Sequence, residues 1–223
     1  MNVSRIVSGV RQTAKNLSHS TYVACVEPKE LAWSVLLTCE HASNVLPNNL
    51  QPHWRWDEKD LENDLPNQHW AIDLGAFDFT MDILHAMYEF NSSQLDGRTP
   101  DGTGCAKGVC AEFSRLLLDC NRPFGTDTMF RKECDGNVIK FNQNLEEGEK
   151  QTRKKMFFDA YHAAISEIVK EEQPKVVFSI HSFNPIYEGS KREMEVGVLF
   201  DDSSEELGTL VCSIGKLHQH IVF

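Results

Sequence analysis

Several things are missing from this chain of 223 residues. No apolar run approaches the roughly 20 residues that a membrane-spanning helix needs. There is no excess of positive charge. The formal net charge is −11 and the sequence pI is near 5.3. Such a surface argues against non-specific nucleic-acid binding and against docking on anionic membranes, while leaving room for a local cationic pocket. The seven cysteines include no Cys-x-x-Cys pair. Cys105 and Cys110, the closest two, have no His/Cys set around them to complete a zinc knuckle. An odd number at this spacing predicts reduced thiols in the cytoplasm or an organelle matrix rather than a disulfide framework. No internal repeat is visible. No acidic residue precedes Glu27, whereas Arg5, Arg11 and Lys15 do, and Val3, Ile6, Val7 and Val10 fall on one helical face. Residues 1–25 therefore read as an N-terminal extension, either transit-like or plain. Residues 26–223 are expected to form one domain with one sizeable core.

What is present alternates between strand and helix. Val35 to Cys39 is a short apolar run that ends in Glu40-His41, as expected of a buried strand with functional groups at its carboxyl end. Residues 44–66 read as loop with a short helix. From Asn67 to Phe90, the spacing of Leu74, Phe77, Met81, Leu84 and Tyr88 predicts an amphipathic helix. Residues 91–110 are glycine-punctuated and read as a long loop. Ser114 to Asp119, with Leu116, Leu117 and Leu118, reads as a second buried strand. Residues 125–148 are polar. Glu149 to Glu172 reads as a strong helix facing inward through Phe157, Tyr161, Ile165 and Ile168 or Val169, with Pro174 just past its end. Lys175 to Ile180 and Glu195 to Phe200 complete the strands, and Ser203-Ser204-Glu205-Glu206 opens a last helix with acidic residues in its first turn. The pattern predicts an α/β fold, a three-layer sandwich with a largely parallel or mixed central sheet. In such sheets ligands bind beyond the carboxyl ends of the strands. Glu40, His41, Asn121, Arg122, His181 and Ser182 all fall there.

These residue types suit hydrolysis. A catalytic zinc takes about three His or carboxylate ligands and keeps a position open for water. His41 and His181 are the natural candidates. The third is Glu40 or a residue near the start of the 67–90 helix, where His69 and Asp73 are four apart. Arginine beside a core calls for a carboxylate or a developing negative charge. One of Arg115 and Arg122 would bind a substrate carboxylate, with Asn121 as a further donor, and the other would face an oxyanion. An ion pair of Asp119 with either arginine would instead buttress the turn. His162, beside the core residue Tyr161, is a candidate proton shuttle. Cys120 has no histidine paired with it in sequence, which argues against a thiol nucleophile.

The motifs, taken in order, resemble those of the N-formylglutamate amidohydrolase family. Leu36 to Asn44 with Pro47 is similar to its opening block, and His69 to Ala76 to its second. Ser114-Arg115 through Asp119-Cys120-Asn121-Arg122-Pro123 is similar to its third. Tyr161-His162 and Ile180 to Pro185 are similar to its fourth and fifth. The resemblance implies a fold like that of zinc carboxypeptidases and aspartoacylase, phosphorylase/hydrolase-like in architecture. It implies His41 and His181 as metal ligands, with Asp73 as the third and Glu40 as the alternative. It implies Asn121 and Arg122 for the substrate carboxylate and Arg115 for the oxyanion. The implied reaction is zinc-dependent hydrolysis of N-formyl-L-glutamate to formate and L-glutamate, in histidine catabolism. The implied partner is a small-molecule N-acyl amino acid, with neither nucleic acid nor membrane involved. The family continues past the 195–200 strand with a helix, a Gly-rich loop and a last strand bearing an acidic general base. The expectation here is that this block is missing, so that Glu40 or His162 takes over as base, or the chain is an inactive shortened member that only binds.

Overall fold

The computed structural model describes residues 10–12, 21–26, 35–94, 106–134, 136–187, 190–215 and 218–221. The chain divides into two compact units, Met1–Phe183 and Asn184–Phe223. No helix among the described residues is long and apolar enough to cross a membrane.

The first unit is built on a mixed five-stranded sheet. Its strands are β1 (Val10–Gln12), β2 (Thr21–Val26), β3 (Val35–Cys39), β4 (Ala106–Ala111) and β7 (Val176–Ser179), in the order β1-β2-β4-β3-β7. β4, β3 and β7 run parallel, and β1 and β2 are antiparallel additions. Val10, counted above on a helical face, is thus the first residue of a strand. Residues 1–9 lie outside the described residues, so the rest of that face does too.

β3 sits between two parallel neighbours and is buried along its whole length. That burial is why it reads as an unbroken apolar run rather than an alternating one. Leu36 joins a core with Tyr161, Ala164 and Ile168, while Val35 and Leu37 join a second core with Leu84.

Helix α1 (Glu58–Glu62) starts at an Asp57 capping box, and Asp57 also pairs with Lys140. Helix α2 spans Ala76–Gln94 and so starts later than expected. Gly75, at φ +77°, turns the chain immediately before it, a conformation that costs glycine least. His69 and Asp73 therefore precede the helix instead of sharing a face of it. Leu74 is 56% exposed. The expected loop 91–110 is shorter at both ends, because α2 runs to Gln94 and β4 begins at Ala106; residues 95–105 lie outside the described residues.

The expected strand at 114–119 is a turn. Only Ser43 and Ser114 form a bridge there, and the Leu117 amide donates back to the Ser114 carbonyl at 2.9 Å. Leu116, Leu117 and Leu118 are all fully buried. A buried turn leaves carbonyls that no ladder satisfies, and these need other donors. Asn142 Nδ2 reaches the Leu116 carbonyl at 2.7 Å, and an Arg153 Nη reaches that of Leu117 at 3.1 Å.

Asn142 and Arg153 come from the segment that follows. It holds the short strands β5 (Glu133–Cys134) and β6 (Asn137–Val138), then α3 (Glu147–Arg153). A π-helical turn at Lys154–Phe158 joins α3 to α4 (Asp159–Glu172). Phe157, Tyr161 and Ile168 face inward, while Val169 is exposed. Gln173, in the left-handed conformation, ends α4 before Pro174.

The second unit holds a two-residue hairpin, β8 (Ile186–Tyr187) with β9 (Ser190–Lys191). It also holds a parallel pair, β10 (Gly197–Phe200) with β11 (His218–Ile221), joined through α5 (Glu205–Gly215). The helix expected from Ser203-Ser204-Glu205-Glu206 is α5, and one further strand follows it. That strand reads His218-Gln219-His220-Ile221 and carries no carboxylate.

Candidate metal centre

Three segments converge beyond the carboxyl ends of β3 and β7. Glu40 and His41 directly follow β3. His181 follows β7, whose direction is continued by the Ile180 amide donating to the Thr38 carbonyl at 2.7 Å. Asp73 lies in the turn before α2, pinned by its own amide donating to the His41 carbonyl at 3.0 Å.

His41, Asp73 and His181 each offer a ligand atom, and these atoms lie within 4.8 Å of one another. Asp73 Oδ2 is 2.8 Å from His181 Nδ1 and 3.3 Å from His41 Nδ1. The imidazole centroids are 5.0 Å apart. His41 is 2% exposed, and Asp73 and Asp119 are also buried, whereas His181 is partly open to solvent.

The 114–122 segment closes the other side. Asp119 Oδ1 is 2.8 Å from His41 Nε2. Arg115 bridges two carboxylates, with one Nη 3.2 Å from Asp73 Oδ1 and the other 2.9 Å from Asp119 Oδ2. Its buried Nε has no partner. The pairing of Asp119 with arginine, the alternative noted from sequence, is therefore present, and the same carboxylate also holds His41. Asn121 and Arg122 are exposed at the rim. Arg122 is 42% exposed, with its Nε 3.9 Å from Asp119 Oδ2. Asn121 Nδ2 lies 3.4 Å from His181 Nε2.

Burial alone would raise the pKa of Asp73. Hydrogen bonds from His181 and His41, with the charges of His41 and Arg115, outweigh it and hold the carboxyl well below the usual range. Asp119 is lowered in the same way: its burial is outweighed by His41 and Arg115. Burial pushes His41 down, but hydrogen bonds to Asp119 and Asp73 prevail and raise it above its ordinary value. Burial pushes the Cys120 thiol up, leaving it protonated and unsuited to act as a nucleophile.

Glu40 and His162 are placed differently. Glu40 Oε1 accepts from Tyr161 at 3.1 Å and Oε2 from Ser179 at 2.9 Å. Oε2 is also 3.4 Å from His181 Nε2, on the far side of that ring from Asp73. His162 Nε2 is 3.1 Å from the Cys120 carbonyl, and its ring lies tilted against Phe158, with centroids 4.2 Å apart. A cavity of about 500 Å³ is lined by Ala42, Ser43, Leu46, Phe77, Cys110 and Glu112, and none of the convergent imidazoles and carboxylates lines it.

The donor set fits a divalent metal. Two imidazoles and one carboxylate are a common zinc complement. Zinc-bound histidines donate their second ring N–H to an oxygen, often a carboxylate, and His41 Nε2 meets Asp119 in this way. Sequence reasoning assigned no such role to Asp119, although it stands in the motif two residues before Asn121. It read Tyr161 as core only and passed over Ser179. Ser179 had a readable signal, since residues two apart in extended chain point the same way and His181 is two residues on.

The profile of the N-formylglutamate amidohydrolase family matches residues 33–214. A crystal structure of a gene product from Agrobacterium tumefaciens is similar, with a TM-score of 0.69 and 28% identity, covering 95% of this chain and 76% of that one. No curated protein matches the sequence. A profile match over most of the chain, with the convergent cluster inside it, shows that the chain belongs to the N-formylglutamate amidohydrolase family.

Proposed function

We propose that this protein is a zinc-dependent hydrolase of N-formyl-L-glutamate, or of a close N-acyl amino acid, yielding formate and L-glutamate. The observation that carries the reading is the cluster of His41, Asp73 and His181 beside the exposed pair Asn121-Arg122. The family domain would run over residues 26–223, with 1–25 as an extension. The two apolar cores, on alternate faces of β3, support a three-layer arrangement of the first unit.

His41, Asp73 and His181 would hold the ion. When bound, it would supply a Lewis acid for the amide carbonyl and lower the pKa of a water toward about 7. Asp119 fixes the His41 ring so that Nδ1 faces inward. Arg122, with Asn121, would grip a substrate carboxylate at the rim, where a planar guanidinium sets orientation as well as affinity. Arg115 places a fixed positive charge beside the reacting carbonyl, where negative charge develops. Water adds to the formyl carbon and gives up a proton, the C–N bond breaks, and the departing amine takes up that proton.

One observation favours a second reading, in which the chain binds an N-acyl amino acid without cleaving it. Both oxygens of Glu40 and Nε2 of His162, the two expected bases, already have partners. Loss of a general base costs about 10²–10⁴ in rate. Formate release by the zinc-loaded protein separates the two. The hydrolase reading expects turnover that is lost in His181→Ala. It also expects Arg122→Ala to raise KM about 10-fold or more, since a hydrogen bond to a charged group contributes about 1.5–3 kcal/mol. Binding of N-formyl-L-glutamate with no formate released would establish the second reading instead.

A further inference from the structure

We propose that Phe124, Phe158 and Lys154 form the subsite for the side chain of the substrate's amino-acid half, and that Lys154 selects a side chain ending in a carboxylate over its neutral amide. The inference rests on the reading above, in which Asn121 and Arg122 grip the α-carboxylate, and it names what lies beside that grip.

The side chain of an amino acid leaves the same carbon as its α-carboxylate, so it must lie on surface that borders the carboxylate grip. A run of contacts marks such a surface. On one side of the grip is the cluster, with Asn121 Nδ2 3.4 Å from His181 Nε2. On another, the Cys120 carbonyl lies 3.1 Å from His162 Nε2. The His162 ring rests against Phe158, and the Phe158 centroid is 6.2 Å from that of Phe124. Phe124, two residues beyond Arg122, is a large ring left 36% exposed. Lys154 Nζ stands 5.2 Å from the Phe124 centroid and 6.0 Å from the Phe158 centroid, within reach of a cation–π contact with each. The two rings offer an apolar shelf for methylene groups, and the ammonium offers a charge for the group that ends them.

The helix is deformed at this place. Arg153 ends α3, Asp159 opens α4, and in the π turn between them the Asp159 amide donates to the Lys154 carbonyl, five residues back. Such turns are rare and are frequent at functional sites. Residues five apart do not face each other on a regular α-helix, yet here Asp159 Oδ1 is 2.5 Å from Lys154 Nζ. Phe158 and His162, four apart, meet in the ordinary way along α4. The π turn thus brings the lysine, its carboxylate and the ring pair to one surface. Asp159 takes one of the three ammonium donors and holds the long side chain over the rings, which leaves two donors for a ligand. The Lys154 side chain is 28% exposed, so a ligand can reach it. A carboxylate accepts from it in a charge-assisted bond, whereas an amide oxygen makes a weaker one.

The test is discrimination between N-formyl-L-glutamate and N-formyl-L-glutamine, which differ only in the charged end of the side chain. It is read on the zinc-loaded full chain as the ratio of kcat/KM, and, where no formate is released, as the ratio of the two Kd values from calorimetry. The wild type should favour the glutamate form. Lys154→Met, which keeps the stem and removes the charge, should cut that preference about 10-fold, the scale of one hydrogen bond to a charged group. Arg122→Ala should weaken both ligands and leave the ratio in place, because both carry the α-carboxylate. A ratio unchanged in Lys154→Met, or no preference in the wild type, would overturn the subsite while leaving the carboxylate grip intact. A wild-type chain that neither cleaves nor binds either compound would instead overturn the grip, and the subsite with it.

Discussion

At the residue scale, the site depends on a buried cation that never touches it. Arg153 is fully buried and donates to the carbonyls of Leu117 and Phe141, to Asn142 Oδ1 and to Glu149 Oε1. It lies 5.3 Å from the centroid of the Trp54 ring. These bonds hold the turn that carries Arg115 and Asp119. Glu149 balances the charge and also accepts from His53 and Trp54. Burial alone would raise its pKa, but these donors and the Arg153 charge lower it below its ordinary value of 4.5. A lowered carboxylate contributes stability that is fully present above the unfolded pKa and lost as pH falls through the folded one. Thermal melts from pH 7 to pH 3 should therefore show a wild-type advantage over Glu149→Gln that shrinks below about pH 4.5. A constant difference across that range would contradict the assignment. None of this was legible in sequence, because Arg153 on a polar helix face looks solvated until Asn142 and the buried turn are placed beside it.

At the element scale, strand alternation and helix periodicity had unequal success. β3 was readable to the residue, since a strand buried on both faces is a continuous apolar run. The three leucines at 116–118 carry the same local signal yet form a turn. Periodicity cannot separate a buried strand from a buried turn, and the difference lies in distant donors, Asn142 and Arg153. The start of α2 was misread because Leu74 fits the apolar spacing, whereas Gly75 sets the boundary. β4 was missed because Gly108 and Lys107 dilute its pattern. In the second unit, α5 lies close on β10: a Cβ added to Gly208 would run into the Phe200 ring. Overpacking of this kind costs about 1–3 kcal/mol. Gly208→Ala should therefore lower the urea unfolding free energy by that amount, and an unchanged value would show that the ring moves aside freely.

At the scale of the whole molecule, an acidic chain confines its useful positive charge to a small area. The net charge is −11, yet Arg115 and Arg122 stand beside the cluster, one clamped between carboxylates and the other exposed. The convergence of His41 and His181 was legible, since both follow parallel strands and such sheets gather ligands at their carboxyl ends. The five motif blocks were legible through the resemblance to the family, which the profile match over residues 33–214 bears out. The antiparallel pairing of β2 with β4 was not, because the two segments lie about 80 residues apart and local pattern says nothing of such closure.

The most direct test of the account is the metal content of the purified protein after zinc loading and removal of excess ion, measured beside Asp73→Ala and His181→Ala. One zinc per chain in the wild type, lost from both variants, is the predicted result. A wild-type chain without zinc, or variants that retain it in full, would contradict the proposed centre.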